Sequence, residues 1–190
     1  MARPIATTRS ATTIPTGRLA IWWVLASEVV IFGGLLASYI MHRLGHPEFG
    51  DYAAHTNTTI GAINTFVLLT SSYFAVRAHN EAEHGRGLKA AYWLYATIGG
   101  AVAFLCIKSY EWYHEILEGF TITRNAFWSF YYTAAGLHAC HVIAGGIVMF
   151  IIAQDARKNR ELQRVELIGI YWHFVDVVWI FLFPLLYIAK

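Results

Sequence analysis

Five stretches of the chain stay apolar long enough to cross a bilayer, and polar residues gather mostly in the short segments between them. A crossing takes roughly 20 predominantly apolar residues, because a helix rises about 1.5 Å per residue against about 30 Å of hydrocarbon. On that measure residues 19–41, 57–78, 88–112, 126–152 and 165–188 each predict a transmembrane helix. The second is diluted by Thr and Ser, yet "INTFVLLTSSYFAV" still reads as a span. Small residues let helices approach closely in lipid, which marks Gly33, Gly34, Gly99, Gly100, Gly136, Gly145 and Gly146 as packing positions. Pro184, in the last turns of the fifth segment, predicts a kink.

Composition agrees with an all-α, polytopic membrane protein: 57% of the 190 residues are hydrophobic and 14% charged. A net charge of +2 gives no basis for binding nucleic acid. Cys106 and Cys140 stand far apart in apolar surroundings, which suits inert thiols better than a disulfide or a thiolate metal centre. Residues 1–17, Thr-rich with Arg3 and Arg9, read as a retained flexible tail ahead of one five-helix domain over 18–190. Lys and Arg set orientation. Arg3, Arg9, Arg18, Arg77, Arg86, Lys89, Arg157, Lys158, Arg160 and Arg164 fall on one side, and only Arg43, Arg124 and Lys190 on the other. The N-terminus is therefore expected inside and the C-terminus outside.

Ionisable residues within a bilayer are costly and by default face the bundle interior or a cavity. Placed by helical rise, Glu28, His141, His173 and Asp176 share one depth, and His138 stands one turn from His141 on the same face. A buried hydrogen-bonded network is the favoured reading, with a metal or haem site and a proton relay as alternatives. A carboxylate-bridged di-iron bundle would need two ExxH motifs, and Glu111 with His114 supplies one. Lys108 and Glu111, one turn apart, read as a pair at the outer interface. Trp112, Tyr113, Trp128, Tyr131 and Tyr132 read as an aromatic belt. In "RAHNEAEHG", His79, Glu81, Glu83 and His84 form either a solvated loop or an inner-surface cluster that collects protons.

Four stretches carry a family likeness: "SEVVIFGG" at 27–34, "KSYEWYHEI" with the following "GFTIT" at 108–123, "AAGLHACHVIAGG" at 134–146 and "YWHFVDVVWIFLF" at 171–183. In order and spacing the chain resembles subunit III of the haem-copper respiratory oxidases, in its five-span bacterial form. The resemblance implies an accessory subunit without an active site, haem or copper of its own, those cofactors lying in partner subunits. It further implies packing against catalytic subunit I, with subunit II and a small subunit IV as further partners. Structural phospholipids, support of proton uptake during reduction of oxygen to water, and a bacterial cytoplasmic (plasma) membrane location follow from the same likeness. Glu28, His138, His141, His173 and Asp176 fall on the family's intramembrane polar positions, whereas Lys108 departs from the uncharged polar residue more often found there. Cytochrome c and quinol remain alternative electron donors, and the related nitric oxide reductase subunit a rival reading.

Overall fold

The computed structural model describes residues 16–189. Nearly all of the expected tail, Arg3 and Arg9 included, lies outside the described residues, as does Lys190. The described chain is helical: α1 (Thr16–Gly45), a short α2 (Phe49–Ala53), α3 (Thr58–Glu83), α4 (Gly87–Leu117), α5 (Ala126–Arg157) and α6 (Arg164–Phe183), closed by a π-helical turn at Pro184–Ile188. Five helices are long and apolar enough to cross a membrane, as the hydropathy pattern predicts. The short α2 and the extra turns at the C-terminal ends of α1, α3, α4 and α5 were not in that pattern. Local backbone turns, rather than hydropathy, set the ends of α3, α4 and α5.

Asn57 and Asn125 each accept a hydrogen bond from a backbone N–H three residues on, at 3.1 Å, and so start α3 and α5. The helices α3, α4 and α5 stop through left-handed residues. Gly85 (φ 71°) and Gly119 (φ 82°) end α3 and α4, with Arg86 N–H bonded to Glu81 O and Phe120 N–H to Glu115 O, both at 2.9 Å. At the end of α5 the left-handed residue is Asn159 (φ 58°). A side chain is useful there, because Asn159 Oδ1 accepts the otherwise free N–H of Gly87 at 3.0 Å and caps α4.

The helices α3, α4, α5 and α6 pack in sequence, and α3 also meets α6, which closes a four-helix ring. The helix α1 leans on the outside of α6 and α5. Only 11% of its most apolar window is buried against 39% for α5 and α6, so it is the peripheral helix. Within the ring, Trp128, Trp172, Trp179, Tyr131 and Phe104 are fully buried. The outer surface is apolar as well, with Val30, Phe66 and Tyr92 exposed, as expected of a body solvated by lipid.

Glycine contacts divide differently from the sequence expectation. A Cβ at Gly100 would lie 2.6 Å from Ser71 Cβ, and one at Gly145 would touch Tyr171 and Trp172 at 3.0 and 3.1 Å. Gly33, Gly34, Gly99 and Gly146 have no such neighbour within 4 Å, whereas Gly61, which the sequence reading passed over, would meet Phe183 at 2.8 Å. The Gly100 contact is part of a larger joint, since Ser71 Oγ donates to Leu68 O at 2.7 Å and accepts the Trp172 indole N–H at 3.1 Å. Gly100→Ala should therefore force α3 and α4 apart and cost about 1–3 kcal/mol. Gly99→Ala, one residue away in open space, should be neutral or slightly stabilising. Thermal unfolding of the two variants in detergent checks the contrast, and equal shifts would contradict the packing described.

Candidate functional site

The polar residues inside the bundle fall into separate groups. The largest surrounds Lys108. Residues 104, 108, 111 and 115 recur at helical spacing, so Phe104, Lys108, Glu111 and Glu115 share the buried face of α4. Lys108 is 1% exposed and Glu111 3%. Lys108 Nζ donates to Glu111 Oε2 at 3.0 Å, to Tyr131 Oη at 2.8 Å, and to Tyr187 Oη. All three ammonium donors are thus used. Tyr187 Oη donates to Glu111 Oε2 at 3.1 Å and Tyr131 Oη to Glu115 Oε1 at 2.8 Å. The ammonium also sits 4.5 Å from the Tyr131 ring centroid and 5.0 Å from that of Tyr187.

This setting differs from the expected interfacial pair, because protein encloses Lys108 and Glu111 on every side. It also corrects the aromatic belt: Tyr113 is exposed, but Trp128 and Tyr131 are buried. Sequence reading missed Glu115, Tyr131 and Tyr187 as members. The 3–4 spacing of 108, 111 and 115 was a usable signal for Glu115, whereas Tyr187 joins from the opposite end of the sequence.

Tyr187 lies on the π-helical turn that begins at Pro184. The π-helical turn exposes its carbonyls to side-chain donors: Tyr39 Oη on Leu185 O at 3.0 Å and Thr58 Oγ1 on Tyr187 O at 3.1 Å, with Thr56 Oγ1, which donates to Ala53 O at 2.8 Å, 3.4 Å from Leu186 O. Elements from α1 to α3 therefore hold the turn that carries Tyr187.

Of the five residues expected in one network, the structure brings two together. His141 Nε2 lies 2.9 Å from Glu28 Oε2 across the α1–α5 seam. His141 Nδ1 donates to Leu137 O at 2.8 Å. That nitrogen faces a carbonyl and so carries a hydrogen. His138, Asp176 and His173 stand apart from it. The His138 ring is wholly buried between Phe104 and Trp179, with centroids 5.5 and 5.0 Å away. Among the described residues neither of its nitrogens finds a hydrogen-bond partner, nor does either carboxyl oxygen of Asp176. His173 Nδ1 is 2.6 Å from Ser72 Oγ on α3 rather than bonded to Asp176.

The residues of "RAHNEAEHG" do not form a loop. His79, Glu81 and Glu83 ride on the last turns of α3, which runs to Glu83 because the cap lies at Gly85. Glu81 is buried against Arg86 at 2.5 Å, and His79 Nε2 lies 3.4 Å from Glu83. His84 Nδ1 donates to Asn80 O at 2.7 Å.

Among the described residues no three His, Cys, Asp or Glu side chains converge as metal ligands. The arrangement suits joining helices: Lys108 with Tyr131 and Tyr187, Glu28 with His141, and Ser72 with His173 each tie one element to another.

Comparison with known proteins agrees with this architecture. The sequence profile of the family described as cytochrome c oxidase subunit III matches residues 11–190. The chain is 31% identical to cytochrome c oxidase subunit 3 of Corynebacterium diphtheriae, over 87% of this chain and 84% of that one. It is 29% identical to a probable quinol oxidase subunit 3 of Staphylococcus aureus, over 90% of this chain and 87% of that one. It is also 30% identical to a haem-copper oxidase subunit I+III of Aeropyrum pernix, over 90% of this chain but 22% of that longer one. The chain belongs to the cytochrome c oxidase subunit III family, the accessory membrane subunits of haem-copper respiratory oxidases.

Proposed function

We propose that this chain is a non-catalytic brace for the oxidase, packed against subunit I in a bacterial plasma membrane, with subunit II and a small subunit IV in the same complex. The observation that carries the reading is the enclosure of Lys108. A full charge is buried with its three donors spent on neighbours, which is a device for holding helices in register and leaves no donor for a substrate. The Aeropyrum relative, named for a subunit I+III fusion, supports subunit I as the direct partner. The basic ends of α3 to α6 face the cytoplasm in this reading, with the C-terminal turn outside. Haem and copper belong to the partner subunits. Phospholipid is held in part by an apolar cleft of about 460 Å³ among α1, α5 and α6, lined by Ile21, Val148, Leu167 and Tyr171 with Arg164 at its edge. Proton uptake is aided by His79, Glu83 and His84 at the cytoplasmic ends; Glu81, committed to Arg86, contributes less.

The electron donor is taken to be cytochrome c, with quinol as the second reading, which the Staphylococcus relative favours by its name. Purified oxidase with and without this chain tests the central proposal. The complex lacking it should keep its haem spectrum and oxygen reduction but lose thermal stability and take up protons more slowly. A haem band on the isolated chain would overturn the proposal.

Two substitution series test the structural role assigned to the polar residues. Glu28→Gln preserves an oxygen and an N–H facing His141 and should be mild. Glu28→Leu strands His141 Nε2 and should cost about 1–3 kcal/mol. Equal losses in chemical denaturation of the two variants would contradict a hydrogen-bonded seam. Lys108→Met removes the cation paired with Glu111 and should cost about 3–5 kcal/mol. Replacing Glu111 by Leu in the same chain should restore much of that loss, which a double-mutant cycle measures.

A further inference from the structure

The ends of α3 to α6 that carry the basic connections distribute charge unevenly. Every acid described there has a basic partner: Glu81 with Arg86, Glu83 with His79, Asp155 and Glu161 with Arg164, and Glu166 with Arg18. Arg77 lies over the Trp93 ring, and among the described residues the exposed cations Lys89, Arg157, Lys158 and Arg160 appear in no ion pair, although acids lie within a few residues of each. They are not scattered. The Gly87 N–H on Asn159 Oδ1, at 3.0 Å, joins the start of α4 to the end of α5, and the four cations lie within two residues of that bond.

The junction is built. Asn159 and Glu161 both hold positive φ, 58° and 53°, and Arg160 N–H closes back on Asp155 O at 3.0 Å. A non-glycine residue in that region costs free energy, and Glu161 is not one of the residue types that adopt it readily. The tight reversal brings Arg157, Lys158 and Arg160 around one corner. From this corner α4 continues with Leu88 and Tyr92, 71% and 66% exposed and one turn apart, an apolar strip directly beyond the charges.

We propose that this corner is a binding site for an anionic phospholipid of the cytoplasmic leaflet. Its phosphate would rest among Lys89, Arg157, Lys158 and Arg160 and its acyl chains along Leu88 and Tyr92. An acidic protein surface would satisfy the cations equally, but the exposed apolar strip continuing into the membrane-spanning part of α4 fits a ligand that is charged at one end and oily below. The negative surface potential of that leaflet, which its anionic lipids create, also draws Lys and Arg toward it. The site is separate from the cleft beside α1 and rests on the orientation proposed above.

The test titrates the purified oxidase, in neutral detergent, with phosphatidylglycerol or phosphatidylcholine and counts bound lipid by native mass spectrometry. One variant carries Lys89→Gln, Arg157→Gln, Lys158→Gln and Arg160→Gln. A control carries Arg43→Gln and Arg124→Gln at the opposite end. The wild type should prefer phosphatidylglycerol, the fourfold variant should bind it about tenfold more weakly or worse, and the control should match the wild type. Added salt should weaken the wild type more than the fourfold variant. Equal binding by wild type and fourfold variant, or no preference between the lipids, would overturn the site. Displacement by inorganic phosphate alone would show an anion site without lipid, and loss of partner subunits from the fourfold variant would show a protein contact; either also overturns it. A wild-type chain that never co-purifies with an oxidase refutes the subunit reading instead, and the lipid titration then runs on the full chain alone.

Discussion

A lysine ammonium with no access to water sets the terms for the outer half of this bundle. Burying such a charge is costly unless its hydrogen bonds and its charge are both met by protein. Lys108 obtains this from a carboxylate one turn along its own helix and from tyrosines on α5 and on the C-terminal turn. Those partners must then be fixed themselves. Tyr131 lies within a packed stack beside Phe127 and Trp128. Tyr187 is fixed by the C-terminal π-helical turn, whose last-turn carbonyls accept from Tyr39 and Thr58. One buried charge thus commits five segments to a single arrangement.

That dependence explains what could be read from the sequence and what could not. Membrane helices announce themselves because lipid leaves backbone groups no other way to be satisfied, so a long apolar run has one stable form. The five helices and the all-α class follow from that. The pairing of polar residues does not, since depth along a helix is fixed by counting but rotation about its axis depends on neighbours. Glu28, His141, His173 and Asp176 were placed at one depth by rise per residue, and only the first two meet. His173 turns instead to Ser72, an α3 residue with no charge to mark it. Lys108 with Glu111 was legible because both lie on one helix, and Tyr187 was not because it arrives from 79 residues away.

The glycines make the same point through volume. Gly99 and Gly100 are adjacent and chemically identical, yet a helix turns about 100° between them. One therefore faces open space and the other rests against Ser71 with no room for a methyl group. Only the position of the neighbouring helix separates them. Helix ends obeyed local rules more closely: Gly85 and Gly119 mark the ends of α3 and α4 as a left-handed cap requires. Asn159 does so less visibly, because its side chain serves a second helix.

The seating of α1 shows how few contacts a peripheral helix needs when lipid surrounds it. Apolar side chains gain little by leaving lipid for protein, so hydrophobicity cannot choose a docking face. Shape and polar contacts must. Leu25, Phe32 and Tyr39 are its buried large side chains, seven residues apart, a seam that returns to one face every two turns. Along the same face Arg18 meets Glu166 at 2.5 Å, Glu28 meets His141 at 2.9 Å and Tyr39 bonds Leu185 O at 3.0 Å. These anchors are ten and eleven residues apart, about three turns and roughly 16 Å each. Three points on a line fix position along the axis and rotation about it. A helix buried so little elsewhere is therefore held in one register by its polar contacts, which gives a bilayer-embedded carboxylate such as Glu28 a structural reason to be there.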